Sequence, residues 1–436
     1  MTWHEKYKEK VISAEQAAKF VKSGDLVRLP VGRPPVPILK ALAKRREQLR
    51  DVTIIQCYPV HPFPLWNEPA WQESFNMVTD YVGVGNREGM RMRLVDFLPI
   101  DYPQYAKQLA QGRTNTWAPD VFFGIVSPPD EKGYCSFGPF LWYSKDLAQT
   151  AKLFVAEVDP TFIRTYGDNF IHVSEIDYLV DETEPLLVST PPPPEEEQGI
   201  IGVIGEYAAS LIQDGDTIQM GVGAIPESLG LYLDKRNDLG IHSEIMTVAH
   251  VELVKKGIAT GKRKTLHPGK AVAAFIVGAA DLEFVNHNPL FELYSVLYTN
   301  SVPVIAAQHS QVAVNSCLAI DLTGQVAAES LGPYMYSGIG GQMDFMMGSM
   351  YSKGGRSIMV LSSTARKGTV SRIVPRLEPG AIVTTPRTYL DNVVTEFGIA
   401  NLQGKTQRQR AEALSEIAHP DFRAELRREA RKLFWP

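Results

Sequence analysis

Residues 12–54 and 203–245 carry the same succession of apolar and polar blocks. Each block opens with small and apolar residues at helical spacing: Ala17, Ala18 and Val21 in the first, Ala208, Ala209 and Ile212 in the second. That spacing predicts an amphipathic helix. SGD or DGD then turns the chain, with Gly24 and Gly215 placed where a helix end often needs positive φ. The runs LVRLPV and TIQMGV follow and predict short buried strands. A glycine and proline corner comes next, then a second helix ending in Lys-Arg. Glu15/Glu206, Gly24/Gly215, Gly32/Gly223, Pro35/Pro226 and Arg45/Arg236 all stand 191 residues apart (215 − 24 = 191). Strand, glycine turn and helix form the unit of an open parallel α/β sheet. The pattern therefore predicts two related open α/β domains produced by duplication.

Other apolar runs predict further buried strands: LFVAEV (153–158), VPVIAA (302–307), SIMVLSS (357–363) and AIVTT (381–385). The tail PDFRAELRREARKLF has the charge pattern of an amphipathic packing helix. PPPPEEE at 191–197 reads as a stiff exposed spacer, and it falls where the repeat requires a junction. This places an N-terminal domain at 1–190 and a C-terminal domain at 198–436.

Composition narrows the function classes. A formal charge of −5 gives no reason to expect nucleic acid or an acidic membrane as partner. No apolar run approaches the roughly 18–20 residues that span a bilayer, and the charged start MTWHEKYKEK lacks the apolar core of a secretion signal. Three scattered cysteines, Cys57, Cys135 and Cys317, have no CxxC spacing and argue against a disulfide framework or zinc ribbon. The expectation is a cytoplasmic, reduced, metal-free protein.

Four segments could carry chemistry. In QMGVGAIPESL (219–229) a strand runs into Gly221, Val222 and Gly223, with a helix expected to start near Pro226. Backbone N–H groups at such a corner can hold an anion or a developing oxyanion. Most glycine corners are structural, and this one lacks the GxGxxG and P-loop patterns. GIHSEI (240–245) places Glu244 one helix beyond the corner, where a constant offset of 191 puts the neutral Thr53 in the first copy. A carboxylate present in one of two equivalent places is a catalytic candidate, although a lone Glu is more often a solvated residue. His242 lies two positions earlier and shares its strand face. It could orient a ligand, or simply be hydrogen-bonded. YSGIGGQMDF (336–345) brings Gly338, Gly340 and Gly341 ahead of Asp344, which implies a close backbone approach or a tight turn. STARKGTVSRIVPR (363–376) carries Arg366, Lys367, Arg372 and Arg376 behind a strand, with Lys353 and Arg356 upstream. Such a group suits phosphate; a solvated face is the plainer reading.

With these segments in place the chain resembles the acetyl-CoA hydrolase/transferase family, and within it the 4-hydroxybutyrate CoA-transferases. The likeness also covers VSPPDEKGYCSFG (126–138), NSCLAIDLTGQVAAES (315–330), VVTEFGIANLQGKT (393–406) and IAHPDFR (417–423). It implies paired α/β domains around a cleft, and ping-pong transfer of coenzyme A between an acyl-CoA and a small carboxylic acid. The implied nucleophile is Glu244, with oxyanion amides at Val222 and Gly341. The coenzyme A contacts it implies are Gly221, Val222, Gly223, Ala224, Ile225, Leu318, Gly338, Gly340, Gly341, Arg366 and Lys367. Arg33, Gln219 and His242 are candidates to touch the acid. The loop GRPPVP (32–37) departs from the family's pattern, so the identity of the acid stays open. The resemblance further implies no permanently bound cofactor, coenzyme A as substrate, and a homodimer. Acyl-CoA hydrolysis by the same glutamate is the alternative within enzymology. A sugar-phosphate isomerase and a metabolite-sensing module are the readings outside it.

Overall fold

The computed structural model describes residues 3–111, 118–184, 195–278 and 281–436. The chain forms two compact units. Met1–Thr190 and Leu282–Tyr298 make the first, and Pro191–Asp281 and Thr299–Pro436 the second. The chain thus crosses back once, and 282–298 leaves the predicted C-terminal domain. Among the described residues no helix is long and apolar enough to cross a membrane.

Unit one is built on α1 (Ala14–Ala18), β1 (Leu26–Arg28), α2 (Val36–Ala43), β2 (Val52–Ile55), β3 (Phe75–Thr79), β4 (Val95–Phe97), β5 (Val121–Val126), β6 (Leu153–Val158) and β7 (Tyr178–Val180). Its 7-stranded sheet runs β7-β6-β5-β1-β2-β3-β4, with every pair parallel. All six residues of β5 are buried, as expected of a parallel strand covered on both faces. Val27, Leu29, Ile54, Val121 and Phe123 pack with Ile38, Leu39 and Leu42 of α2 in one core.

Unit two repeats the plan with α3 (Glu195–Ser210), β8 (Thr217–Met220), α4 (Ala224–Leu229), β9 (Gly240–His242), β10 (Ala271–Ala273), α5 (Val302–Ala307), β11 (Gln311–Ser316), α6 (Gln342–Tyr351), β12 (Arg356–Val360), β13 (Asn392–Thr395), β14 (Gly398–Asn401) and α7 (Pro420–Phe434). Its strands run β14-β13-β12-β11-β8-β9-β10. Only the β13–β14 pair in this series is antiparallel. The order reverses between β8 and β11, with β9 and β10 on one side and β12 and β13 on the other. A crevice outside the carboxyl ends of the strands is expected at such a switch point. Leu426 and Ala430 of α7 are buried in the core of this unit with Val393 and Leu414.

The register of the two sheets corrects the repeat. Leu26 pairs with Thr53 and its mate Thr217 with Gly240. The Thr53 N–H donates to Asp25 O and that of Gly240 to Asp216 O. The second copy is therefore four residues shorter between its second helix and second strand (53 + 187 = 240). The residue equivalent to Glu244 is Cys57 (57 + 187 = 244), not Thr53. In unit one that corner is filled. Arg28 is fully buried beside Asp80 at 3.6 Å and donates to Tyr143 Oη at 2.8 Å, and Cys57 Sγ lies 3.3 Å from Tyr102 Oη.

Three further expectations are revised. VPVIAA forms the helix α5, with Pro303 in its first turn, because a short apolar run suits a buried helix as well as a strand. AIVTT forms no strand beyond a single bridge from Thr385 to Val326, and Ile382 and Val383 are exposed. Residues 191–194 of the expected spacer lie outside the described residues, and Glu195–Glu197 begin α3.

Candidate active site

Unit two carries every expected site residue except Arg33, and six of them, Gln219 and Gly221 to Ile225, lie at the end of β8. Gly221 donates its N–H to Val314 O at 2.8 Å, which ties the end of β8 to β11. A side chain there would meet Asn315 Oδ1. Gly223, at φ 136°, occupies a conformation that glycine alone adopts readily. α4 begins at Ala224, two residues before Pro226. Val222 projects from this corner at 43 % exposure. Among the described residues its N–H meets no protein acceptor. Gln219 and Asn315 lie beneath, buried, and exchange two amide hydrogen bonds of 3.1 Å. Gln219 is therefore fixed within the sheet.

Glu244 stands just past β9 and is 9 % exposed. Asn300 Nδ2 donates to its Oε1 at 2.9 Å, and the Gly341 N–H donates to the same carboxylate. Gly341 is the N-cap of α6, so the positive end of that helix also faces Glu244. A Cβ on Gly341 would lie 2.8 Å from Glu244 Cδ and Oε1. It would lie closer still, 2.4 Å, to Asn300 Nδ2, so position 341 admits only glycine beside this pair. Gly338 is buried, and Gly340 turns the loop at φ 54°. Burial raises the Glu244 pKa to about 7, against the two hydrogen bonds, which lower it. At neutral pH the carboxyl group is thus near half-ionised, where the expectation for an exposed glutamate is full ionisation. The second N–H of Asn300 faces Asp344 Oδ2 at 3.4 Å.

His242 is fully buried and uses both ring nitrogens within the protein. Burial, and then the nearby charge of Lys264, lower its pKa to about 3, so the ring is neutral. Leu318 is half-buried and donates its N–H to Ala327 O. Arg366 and Lys367 are exposed at the tip of a hairpin formed by Thr364–Ala365 and Val370–Ser371. Their φ values are 48° and 57°. Arg356 leaves the expected basic group: it pairs with Asp216 and donates to Leu211 O.

Arg33 lies in unit one and is 6 % exposed. Its guanidinium pairs with Asp159 and Glu157 and donates to Thr183 Oγ1 and Glu184 O. The fork is thus taken up by the protein. Burial raises the Glu157 pKa to about 7.

Sequence reasoning missed Asn300. It lies in YTNS, outside every repeat and motif, and reaches Glu244 through tertiary contact alone. No group of three or more potential metal ligands occurs among the described residues.

The buried, amide-held carboxylate thus follows β9, the strand beside β8 in a doubly wound sheet. The N-terminal domain of acetyl-CoA hydrolase/transferase matches residues 1–189, and the C-terminal domain of the same family matches 279–430. The chain belongs to this family. It is 43 % identical to the 4-hydroxybutyrate coenzyme A transferase of Clostridium kluyveri, over all of both chains. Among solved structures, RipA from Yersinia pestis superposes with a TM-score of 0.90 at 34 % identity, covering 99 % of each chain. The 4-hydroxybutyrate CoA-transferase from Porphyromonas gingivalis gives 0.80 at 37 % identity, covering 99 % of this chain and 100 % of that one.

Proposed function

We propose that the protein is a CoA-transferase that moves coenzyme A between an acyl-CoA and a small carboxylic acid of the 4-hydroxybutyrate type, through Glu244. The observation that carries this reading is one carboxylate, nearly buried yet reachable, held by the Asn300 amide and the Gly341 N–H. A Glu244 oxygen attacks the thioester carbonyl carbon. The C–S bond breaks, and an acyl-glutamyl anhydride and CoA thiolate result. The thiolate then attacks Glu244 Cδ, the first acid leaves as its carboxylate, and a glutamyl-CoA thioester remains. A second acid runs the steps in reverse.

Two oxyanions need stabilisation, and they lie at different atoms. When Cδ becomes tetrahedral, the charge falls on a Glu244 oxygen, where Asn300 and Gly341 already donate. When the acyl carbon becomes tetrahedral, the charge falls outside Glu244, and the unengaged Val222 N–H suits it. Each such donor is typically worth about 3 kcal/mol. The Arg366–Lys367 hairpin tip supplies exposed cations of the kind that hold coenzyme A phosphates. Distant binding of that kind supplies energy for use at the reacting carbon.

The test is intact-protein mass after incubation with acetyl-CoA. A coenzyme A adduct, absent in Glu244→Ala, is the expected result. Full turnover in Glu244→Ala would overturn the reading.

A further inference from the structure

Beneath the nucleophile lies a hydrogen-bond chain whose directions are all determined. The Leu266 N–H donates to Gln308 Oε1 at 3.2 Å and Leu266 O accepts from the Gln308 amide nitrogen at 3.4 Å, which fixes that nitrogen as the donor end. That nitrogen lies 3.3 Å from His242 Nδ1. Nδ1 is then the acceptor, and the ring proton sits on Nε2. Nε2 lies 2.9 Å from Thr299 O, which can only accept. The hydroxyl of the same residue, Thr299, donates to Asn300 Oδ1 at 3.0 Å, which turns the Asn300 nitrogen toward Glu244 Oε1. The Gln311 amide donates to His242 O at 3.1 Å and holds the start of the chain. His242 and Glu244 are two residues apart in sequence, so the path closes on itself through backbone.

We infer that His242 is a positioning residue: it holds the Thr299–Asn300 corner so that the Asn300 amide keeps Glu244 in its attacking orientation. The inference rests on the reading of Glu244 as nucleophile. It replaces the expectation that His242 contacts the acid. A ring with 0 % exposure and both nitrogens engaged has no atom left for substrate. A neutral donor with one fixed tautomer suits the task, because its hydrogen bond persists across the working pH range. Displacing the corner by about 1 Å is enough to cost about two orders of magnitude in rate.

The test compares two polar replacements of similar size in the full-length protein. His242→Gln keeps an N–H near the position of Nε2, whereas His242→Asn is too short to reach Thr299 O. The readouts are the rate of coenzyme A adduct formation from acetyl-CoA, its dependence on acetyl-CoA concentration, and the urea midpoint. The Asn variant is expected to form adduct about 30-fold more slowly, with half-saturation within about threefold of the parent, and the Gln variant to recover most of the loss. In an Asn300→Ala background, His242→Asn should cost nothing further, since both act through one amide. Equal impairment of the Gln and Asn variants overturns the proposal. So does an undiminished loss beside Asn300→Ala, or a loss confined to half-saturation.

Thr299→Val provides a second arm that leaves His242 intact. It should slow adduct formation about tenfold, again with no added loss beside Asn300→Ala. A Thr299→Val protein as fast as the parent also refutes the chain. Failure of the parent to form any adduct would instead refute the Glu244 reading itself.

Discussion

Asn300 Nδ2 lies 2.9 Å from Glu244 Oε1 and is the one side-chain donor recorded on that carboxylate among the described residues. A hydrogen bond to a charged group contributes about 1.5–3 kcal/mol. The same contact serves the ground-state carboxylate and the oxyanion that later forms on it, so only the difference between them appears in the rate. Asn300→Ala is therefore expected to lower kcat by about 10- to 100-fold while KM for acyl-CoA changes little. Steady-state kinetics with an acyl-CoA donor and a carboxylate acceptor measures both. An Asn300→Ala enzyme with normal kcat would show that Glu244 is held by other groups.

Burial sets the pH dependence. The nucleophile is the ionised form of Glu244, and its pKa lies near 7, above the ordinary 4.5. In the free enzyme the active fraction grows as pH rises through 7 and falls by about tenfold per unit well below it. A plot of kcat/KM for acyl-CoA against pH should show this single ascending limb with a midpoint near 7. His242 contributes no limb, because its pKa near 3 keeps it neutral throughout. A flat profile between pH 5 and 8 would mean that the carboxyl group keeps its ordinary acidity.

Much of this arrangement was legible in the amino-acid order, for identifiable reasons. The repeat marks β1 and β8 because glycine corners and apolar strands keep their spacing over 191 residues. The corner at 221–223 and the loop at 338–341 stand out because positive φ at Gly223 and Gly340, and close contacts at Gly221 and Gly341, demand glycine. The repeat misled beyond the second helix. A four-residue shortening there is silent in side-chain pattern and visible only in strand register, so Cys57 and not Thr53 stands opposite Glu244. VPVIAA was ambiguous in kind, since six apolar residues bury equally well as helix or strand. Asn300 left no sequence signal, and neither did the ion-pair partners of Arg33. A cation on a corner loop reads as a ligand contact until Asp159 and Glu157 are found beside it.

Gly341 has φ −89°, so its backbone would accept alanine without strain. The obstacle is the site itself, because a Cβ would lie 2.4 Å from Asn300 Nδ2 and 2.8 Å from the Glu244 carboxylate. The backbone around Gly341 is anchored by the first turn of α6, whereas the Glu244 side chain can swing. The carboxylate is thus expected to move and lose both its donors. Gly341→Ala should fall in kcat by about 100-fold or more, while the urea midpoint shifts little. Activity near the parent level would require the loop to retreat instead, and would remove the Gly341 N–H from any part in holding charge.

Arg33 yields the opposite signature. It neutralises Asp159 and Glu157, both of which are almost wholly buried, and it also secures Thr183 and the Glu184 carbonyl. Removing one partner of a buried ion pair leaves an uncompensated charge and costs about 3–5 kcal/mol. Glu157, with its pKa already near 7, can take up a proton once Arg33 is gone, which places the cost toward the lower end of that range. Arg33→Ala should therefore lower the urea midpoint substantially. At temperatures where the variant stays folded, its KM for mono- and dicarboxylic acids should match the parent's. A stable Arg33→Ala protein whose KM rises selectively for dicarboxylates would instead assign the guanidinium to the acid substrate.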